Sequence, residues 1–521
     1  MLTSQRWARE FAVGPEDIDF LVNLLLDKET PLSSSELARI LIEHHLENEA
    51  AAIQEQYKDL HVYSPAQPYA VGQRLIFPVL DFAIGVVTDI RPGDNPDYGE
   101  FNVISVEFEN DGSTRQFAAD FPQPHKLSED EASGGLLPGS ELPTVDDVLE
   151  HGGEEIIETV ETALIENDTL AFVGGLWFPR DLMLELNEGH LNLAEAVLDL
   201  VEGGPLTTEA ILDQIGGLGD APRSLQLFSI NYTLGHDSRF DEVGRAGEVL
   251  WFLTRMEPTA VKNKPQTLEY TPIDHNRDLL DDDMLALEQE IGDELSPLKD
   301  QRGVTQATIT LIYPHRRAGT LPLNWRVRHI FPAARRSARI WVTLVDADDG
   351  ETFTGWVLPR ERYVYGLQPL YEKHQIPIGA YVTVSTGEQP DQVNIDFNLY
   401  KARTEWIRLI APRDDQFTFE NTKRGIGADY DDLMILGADD LTALDSAITT
   451  IQRGRHNLAA LMKMMMPGLG RLTPQGTVHV KTLYSAVNVV RRCPPAPIMA
   501  TLLSDPDFEN MGGDYWRLSS T

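Results

Sequence analysis

The chain has 521 residues and carries 82 acidic against 43 basic side chains, a net charge of −39. It is too long for one core, which suggests about three to five domains, and its overall charge argues against general affinity for phosphate backbones. One cysteine, Cys493, excludes an internal disulfide and a multi-cysteine zinc site, and no apolar run reaches the ~18 residues of a transmembrane helix. The opening MLTSQRWAREF places charges where a signal peptide needs an apolar run, so the cytoplasm is the expected location.

Residues 1–62 read as helix-turn-helix-like helices. Ile18, Leu21, Leu24 and Leu25 share one helical face; Ser34 or Ser35 then caps a second helix with Leu37, Ile40 and Leu41 on its apolar side. An ordinary helical hairpin fits the same pattern. The period changes in 63–127, where β-rich segments are broken at PGDNPDYG and NDGS, as in a small SH3-like barrel. A polar linker follows, then a helix and a wing-like strand pair in 146–190. Segment 191–258 reads as three helices and a two-stranded wing, and 259–301 as an acidic linker, either a solvated helix or a flexible tether. Segment 302–412 is again β-rich, with one short helix in GLQPLYEKHQIPIGAY. Segment 438–521 ends as a second helix-and-wing module.

The wing pattern recurs. Leu234, Asp237, Phe240, Gly244 and Trp251 are echoed by Leu503, Asp505, Phe508, Gly512 and Trp516, and more faintly by Leu164, Asp168, Phe172, Gly174 and Trp177. If the faint copy is real, its wing pairs with the helices of 15–60 and the first barrel is an insertion. The expected fold class is therefore α+β and multidomain: winged-helix modules plus two small β-barrels joined by acidic linkers.

Three resemblances bear on this order. Pro205-Leu206, Leu234, Asp237, Arg239-Phe240, Val243-Gly244 and Trp251 resemble the HARE-HTH winged-helix family, which includes the N-terminal domain of the RNA polymerase delta subunit. Val71-Gly72-Gln73, Ile76-Phe77-Pro78 and Gly85-Val86-Val87 resemble the CarD-type domains that dock on bacterial RNA polymerase. Ile330-Phe331-Pro332, Leu344 to Gly350, Gly366 to Tyr371 and Ile376-Pro377-Ile378-Gly379 resemble the DNA-binding pseudobarrel of plant transcription factors and some restriction enzymes. The last resemblance implies arginine-bearing arms near Arg316-Arg317 and Arg335 to Arg339.

Charge is segregated along the chain. From Gln301 to Val345 there is no carboxylate and no lysine, but there are eight arginines: Arg302, Arg316, Arg317, Arg326, Arg328, Arg335, Arg336 and Arg339. A second carboxylate-free window, Ser446 to Ser504, holds Arg453, Arg455, Lys463, Arg471, Lys481, Arg491 and Arg492. Leu127 to Pro179 has thirteen acids and no Lys or Arg. Arginine pairs with phosphate or guanine in two-point geometry and stacks on rings. The expected nucleic-acid contacts are thus Arg316, Arg317, Arg326, Arg328, Arg335, Arg336, Arg339, Lys481, Arg491 and Arg492, binding DNA or RNA through 301–345 and 446–504. The acidic half would face a protein, RNA polymerase being the partner the resemblance implies.

Two other readings stay open. The basic windows could pair with the chain's own acids, for example in Leu127 to Pro179, as in a scaffold or nucleic-acid mimic. The chain could instead be the targeting component of a restriction or defence system. Enzyme signatures are lacking: there is no phosphate-binding glycine loop, no G-x-S-x-G and no H-E-x-x-H. EQPDQVNIDFNLYK departs from the PD-(D/E)xK nuclease pattern at Leu399, where a metal ligand is needed. No catalytic residue, cofactor or metal is expected.

Overall fold

In the computed structural model, which describes residues 2–57, 60–77, 80, 83–95, 99–121, 123, 143–334, 337–413 and 416–519, the chain divides into two units, Met1–Leu184 and Glu185–Thr521. Both mix helices with sheets.

The first unit opens with α1 (Leu2–Glu10) and α2 (Pro15–Lys28). Pro15 occupies the first turn of α2, where no backbone donor is needed, and the Asp17 carboxylate accepts from the Gly14 N–H at 2.8 Å. A two-residue strand β1 (Leu32–Ser33) leads into α3 (Ser34–Tyr57). The chain then forms a five-stranded sheet, β2 (His61–Val62), β3 (Arg74–Phe77), β4 (Ala83–Pro92), β5 (Asn102–Phe108) and β6 (Thr114–Ala119), ordered β2-β3-β4-β5-β6. It returns in α4 (Val145–Ile165), capped reciprocally by Thr144 and Asp147, and in the hairpin β7 (Leu170–Val173) and β8 (Leu176–Pro179). Gly152 kinks α4 where Ala8 comes close; a Cβ there would lie 2.6 Å from the Ala8 Cβ.

Strand β1 pairs with β8, Leu32 opposite Trp177, and the Trp177 indole N–H donates to Ser34 Oγ at 3.0 Å. Leu21, Leu25, Leu37, Leu41, Val148, Val160, Leu164 and Trp177 fill one core. The helices of 2–57 and the segment 145–179 therefore share one core, and the five-stranded sheet is inserted between them in the chain.

The second unit begins with α5 (Glu188–Asp199), β9 (Leu206–Thr207), α6 (Thr208–Ile215), α7 (Arg223–Gly235), β10 (Phe240–Glu242) and β11 (Leu250–Leu253). Its sheet order is β10-β11-β9 with Leu206 opposite Trp251, and the buried indole N–H reaches Thr208 Oγ1 at 3.1 Å and Asn231 Oδ1 at 3.0 Å. Two helices follow, α8 (Thr259–Lys262) and α9 (Asp282–Ile291).

The third part is a seven-stranded, curled sheet. Its strands are β12 (Gln306–Thr310), β13 (Thr320–Pro322), β14 (Ile340–Asp346), β15 (Thr352–Leu358), β16 (Tyr363–Tyr365), β17 (Tyr381–Thr386) and β18 (Gln392–Asp396), with α10 (Tyr313–Ala318) and α11 (Gln368–Lys373) between them. The order is β12-β17-β18-β14-β15-β16-β13, antiparallel except for the parallel β14–β18 pair. Ile309 and Leu321, on opposite edge strands, share one core, as a half-closed barrel requires. At the bend Gly366 has φ +116°, and a Cβ would lie 2.3 Å from the Thr354 carbonyl oxygen, so only glycine fits.

The last part starts with a long antiparallel ribbon, β19 (Leu399–Arg413) and β20 (Gln416–Ala428), with a short β21 (Gly437–Ala438) beside it. Then come α12 (Leu441–Arg453), α13 (Leu458–Gly470), β22 (Val478–His479), α14 (Val480–Val490), α15 (Pro495–Ser504), β23 (Phe508–Asn510) and β24 (Tyr515–Leu518). The sheet order β22-β24-β23 sets Val478 opposite Trp516. Among the described residues, a two-residue strand before a helix thus pairs with a tryptophan-bearing hairpin strand three times.

Two expected boundaries change. Residues 259–301 are not a free tether: Asp281 caps α9, Leu280, Met284 and Leu287 enter the core of the C-terminal helices, and Glu288, Asp293 and Glu294 are buried. The acidic run is the start of a helix, where carboxylates complement the dipole. The strand entering at Leu399 does not end at 412 but turns back as β20, and its Ile410 and Phe419 pack on the C-terminal helices rather than on the seven-stranded sheet.

Candidate polyanion interface

In the first window Arg302 precedes β12, and the other arginines come from α10, the loop after β13 and the approach to β14. Most of them turn inward. Arg316 donates from Nε to the Ile376 carbonyl at 2.7 Å and lies 5.3 Å from the Tyr371 ring centroid; burial lowers its pKa. Arg317 pairs with Asp445 at 2.8 Å. Arg326 donates to the Gln289 carbonyl at 2.6 Å and lies over Trp325. Arg328 meets Asp300 at 3.2 Å. Arg339 bridges Asp241 at 2.7 Å and Glu257 at 3.2 Å. Glu257 is buried there, and burial together with the neighbouring Asp241 pushes its carboxyl up to about 8 despite the arginine. Arg335 and Arg336 lie outside the described residues.

In the second window Lys481 joins Asp431 at 2.9 Å and also contacts Glu290. Arg492 does not face a ligand: its side chain is fully buried, donating to Asp293 at 2.6 Å, Glu294 at 2.7 Å and Asn488 Oδ1 at 2.8 Å. Tyr484 OH donates to Asp293 at 2.5 Å, and His315 lies 3.1 Å from Glu294. This cluster ties α9, α10 and α14 together. Burial pushes the Asp293 carboxyl up; for Glu294 burial is outweighed by Arg492 and His315, which hold it low. Burial likewise opposes the Arg492 charge, but the two carboxylates more than restore it.

Of the ten expected contacts, Arg317, Arg328, Arg339, Lys481 and Arg492 thus meet carboxylates of their own chain, and Arg316 and Arg326 meet backbone carbonyls. The carboxylate partners come from 241–300, 431 and 445. Arg491, half-buried at the end of α14, makes no ion pair with a described residue. Gln452, whose side chain donates to the Val490 carbonyl at 2.8 Å, brings the end of α12 to the same place, so exposed Arg453 and Arg455 lie near Arg491.

A second group of free cations was not foreseen. On one face of the β19–β20 ribbon, Pro412/Phe417 and Ile410/Phe419 pack toward the helices, and Arg408/Asn421, Trp406/Lys423 and Thr404/Gly425 continue outward. Trp406 is 67% exposed, whereas Trp177, Trp251, Trp356 and Trp516 are buried. The Lys423 ammonium lies 5.1 Å from the Trp406 ring centroid. Asn421 Nδ2 donates to the Leu472 carbonyl at 3.1 Å, which sets exposed Arg471 beside this face. The ribbon's Glu405 and Glu420 occupy the alternate positions and face the other way.

An open cleft of about 380 Å³ between α9 and the last hairpin is lined by Asp281, Asp283, Glu290 and Asp514, which suits no polyanion. No described helix is long and apolar enough to cross a membrane. No family model, curated protein or solved structure matches the chain.

Proposed function

We propose that the chain is a non-enzymatic nucleic-acid-binding protein, built from winged-helix modules and two small barrels, that contacts the polyanion through residues 399–491. The carrying observation is that two groups of cations without carboxylate partners among the described residues, Arg453/Arg455/Arg491 and Arg408/Lys423/Arg471, fall within this one stretch of a chain of net charge −39. An acidic protein that binds phosphate must do so through such cleared patches. The winged-helix part of the reading is supported by the thrice-repeated pairing of a short strand with a tryptophan-bearing hairpin. The HARE-type resemblance adds a protein partner for the acidic N-terminal unit, RNA polymerase being the one it implies.

A second reading, a protein scaffold whose basic segments serve only to clamp acidic ones, is favoured by the five basic side chains that pair with carboxylates of their own chain. Binding of the intact chain to duplex and single-stranded DNA between about 50 and about 200 mM salt separates the two. Log affinity should fall linearly with log salt, by ~0.7 to 0.9 per neutralised phosphate. No binding, or a flat plot, overturns the nucleic-acid reading in favour of the scaffold.

A further inference from the structure

We infer that the exposed face of the β19–β20 ribbon holds single-stranded nucleic acid, an unpaired base stacking on the Trp406 indole and the flanking phosphates meeting Arg408, Lys423 and Arg471. The inference rests on the nucleic-acid reading above and adds to it the strand state and the element that binds.

The inner half of this ribbon face is apolar and packed, so it fixes the outer half as a rigid platform. On the outer half the large aromatic surface is left to solvent. Trp406 stands between Arg408 along its strand and Lys423 opposite, and none of Arg408, Lys423 or Arg471 has a carboxylate partner among the described residues. Beside it, diagonally across, Gly425 contributes no side chain, and a Cβ there would meet nothing within 4 Å. The space next to the indole is therefore open to a flat ring.

An aromatic side chain flanked by cations on a sheet face is the combination that tracks a single strand: stacking takes any base, and the cations follow the backbone. A duplex would keep its bases stacked on one another, meet only the cations and leave Trp406 idle. A carboxylate-bearing peptide would satisfy the cations but gain little from a bare indole beside a gap of this shape.

The test uses the intact chain and a fluorescein-labelled oligothymidylate of about twelve nucleotides, within the span such sites cover. Trp406→Ala should weaken binding about ten-fold or more, while Trp406→Phe keeps most of the affinity. Lys423→Gln should flatten the salt slope by about 0.7. Both positions are exposed, so thermal midpoints should stay at the wild-type value. Wild-type binding that Trp406→Ala leaves unchanged overturns the ribbon assignment while the nucleic-acid reading stands; that result is also expected if Trp406 docks a protein. Absence of wild-type binding to single-stranded and duplex DNA alike overturns both.

Discussion

Replacing Arg492 by alanine should be the most damaging single change in the Glu185–Thr521 unit. The guanidinium is fully buried and is the shared partner of Asp293 and Glu294, themselves buried. Breaking a buried pair from one side costs about 3–5 kcal/mol, because the other charge is left uncompensated. Two carboxylates are stranded here, so the upper half of that range is expected. At roughly 2 °C per kcal/mol for a unit of this size, the thermal midpoint should fall by about 8–10 °C. The loss should depend on pH with a definite sign. In the wild type Glu294 is held low, so its contribution is present above the ordinary carboxylate range and is lost as pH falls through its folded value. Without the arginine Asp293, already raised by burial, climbs further and Glu294 rises above its unfolded value, so the folded variant binds more protons than its unfolded chain and its stability increases toward acid. The gap to wild type therefore narrows between pH 7 and about pH 4.5. Urea denaturation across that range measures it. The combined variant Arg492→Met, Asp293→Asn, Glu294→Gln should recover much of the loss, since neutral replacement of a buried ionic group is often tolerated. A cost under about 1 kcal/mol for Arg492→Ala, with no pH dependence, would refute the reasoning.

Trp251→Phe removes the indole N–H shared by Thr208 and Asn231 and should cost about 1–3 kcal/mol beyond the lost ring volume. Trp177→Phe, which strands only Ser34 Oγ, should cost less; equal thermal midpoints for the two variants would remove the hydrogen bonds from the explanation. Glu257, pushed up to about 8 by burial and Asp241, keeps a proton in the folded state that the unfolded chain releases near 4.5. Its effect therefore favours folding at low pH and is lost as pH rises from about 4.5 to about 8. Glu257→Gln should gain on the wild type over that window and level off above it, and parallel pH–stability curves would contradict the shift.

What the sequence revealed and what it concealed divide by range. The hairpin tryptophans were legible because a hairpin and its plug lie within about twenty residues, and Asp237, Phe240 and Gly244 repeat the local spacing of Asp505, Phe508 and Gly512. The destinations of the arginines were not. Arg492 and Asp293 are separated by 199 positions, Lys481 and Glu290 by 191, and Arg317 and Asp445 by 128. A window cleared of carboxylates shows that its cations have no local partner, and nothing in one dimension says whether the distant one is a ligand or another part of the fold. Residues 259–301 illustrate the opposite error. Their acids suggested a tether, but Leu280, Met284 and Leu287 already carried the spacing of a buried helical face. The ribbon was overlooked because its strands have apolar residues on both faces near the turn, which hides the alternation that would have exposed Trp406.

Burial separates two populations of basic side chains that composition alone merges, and ionic strength acts on them differently. Arg492 and its carboxylates sit where mobile ions do not reach, so their attraction is little screened. Lys423 and Arg471 are exposed and Arg408 is half-buried at the surface, so they lose long-range attraction beyond about 8 Å at physiological salt. Raising salt should therefore release a bound polyanion well before it loosens the clamp, and the fold should persist through a titration that abolishes binding. The segregation of charge in this acidic chain then has two separate causes. The inner arginines hold α9 and its neighbours to the C-terminal core, and clearing carboxylates from their own segments leaves distant acids as their partners. The outer cations stand beside a ribbon face with no acids of its own, and no carboxylate among the described residues pairs with them.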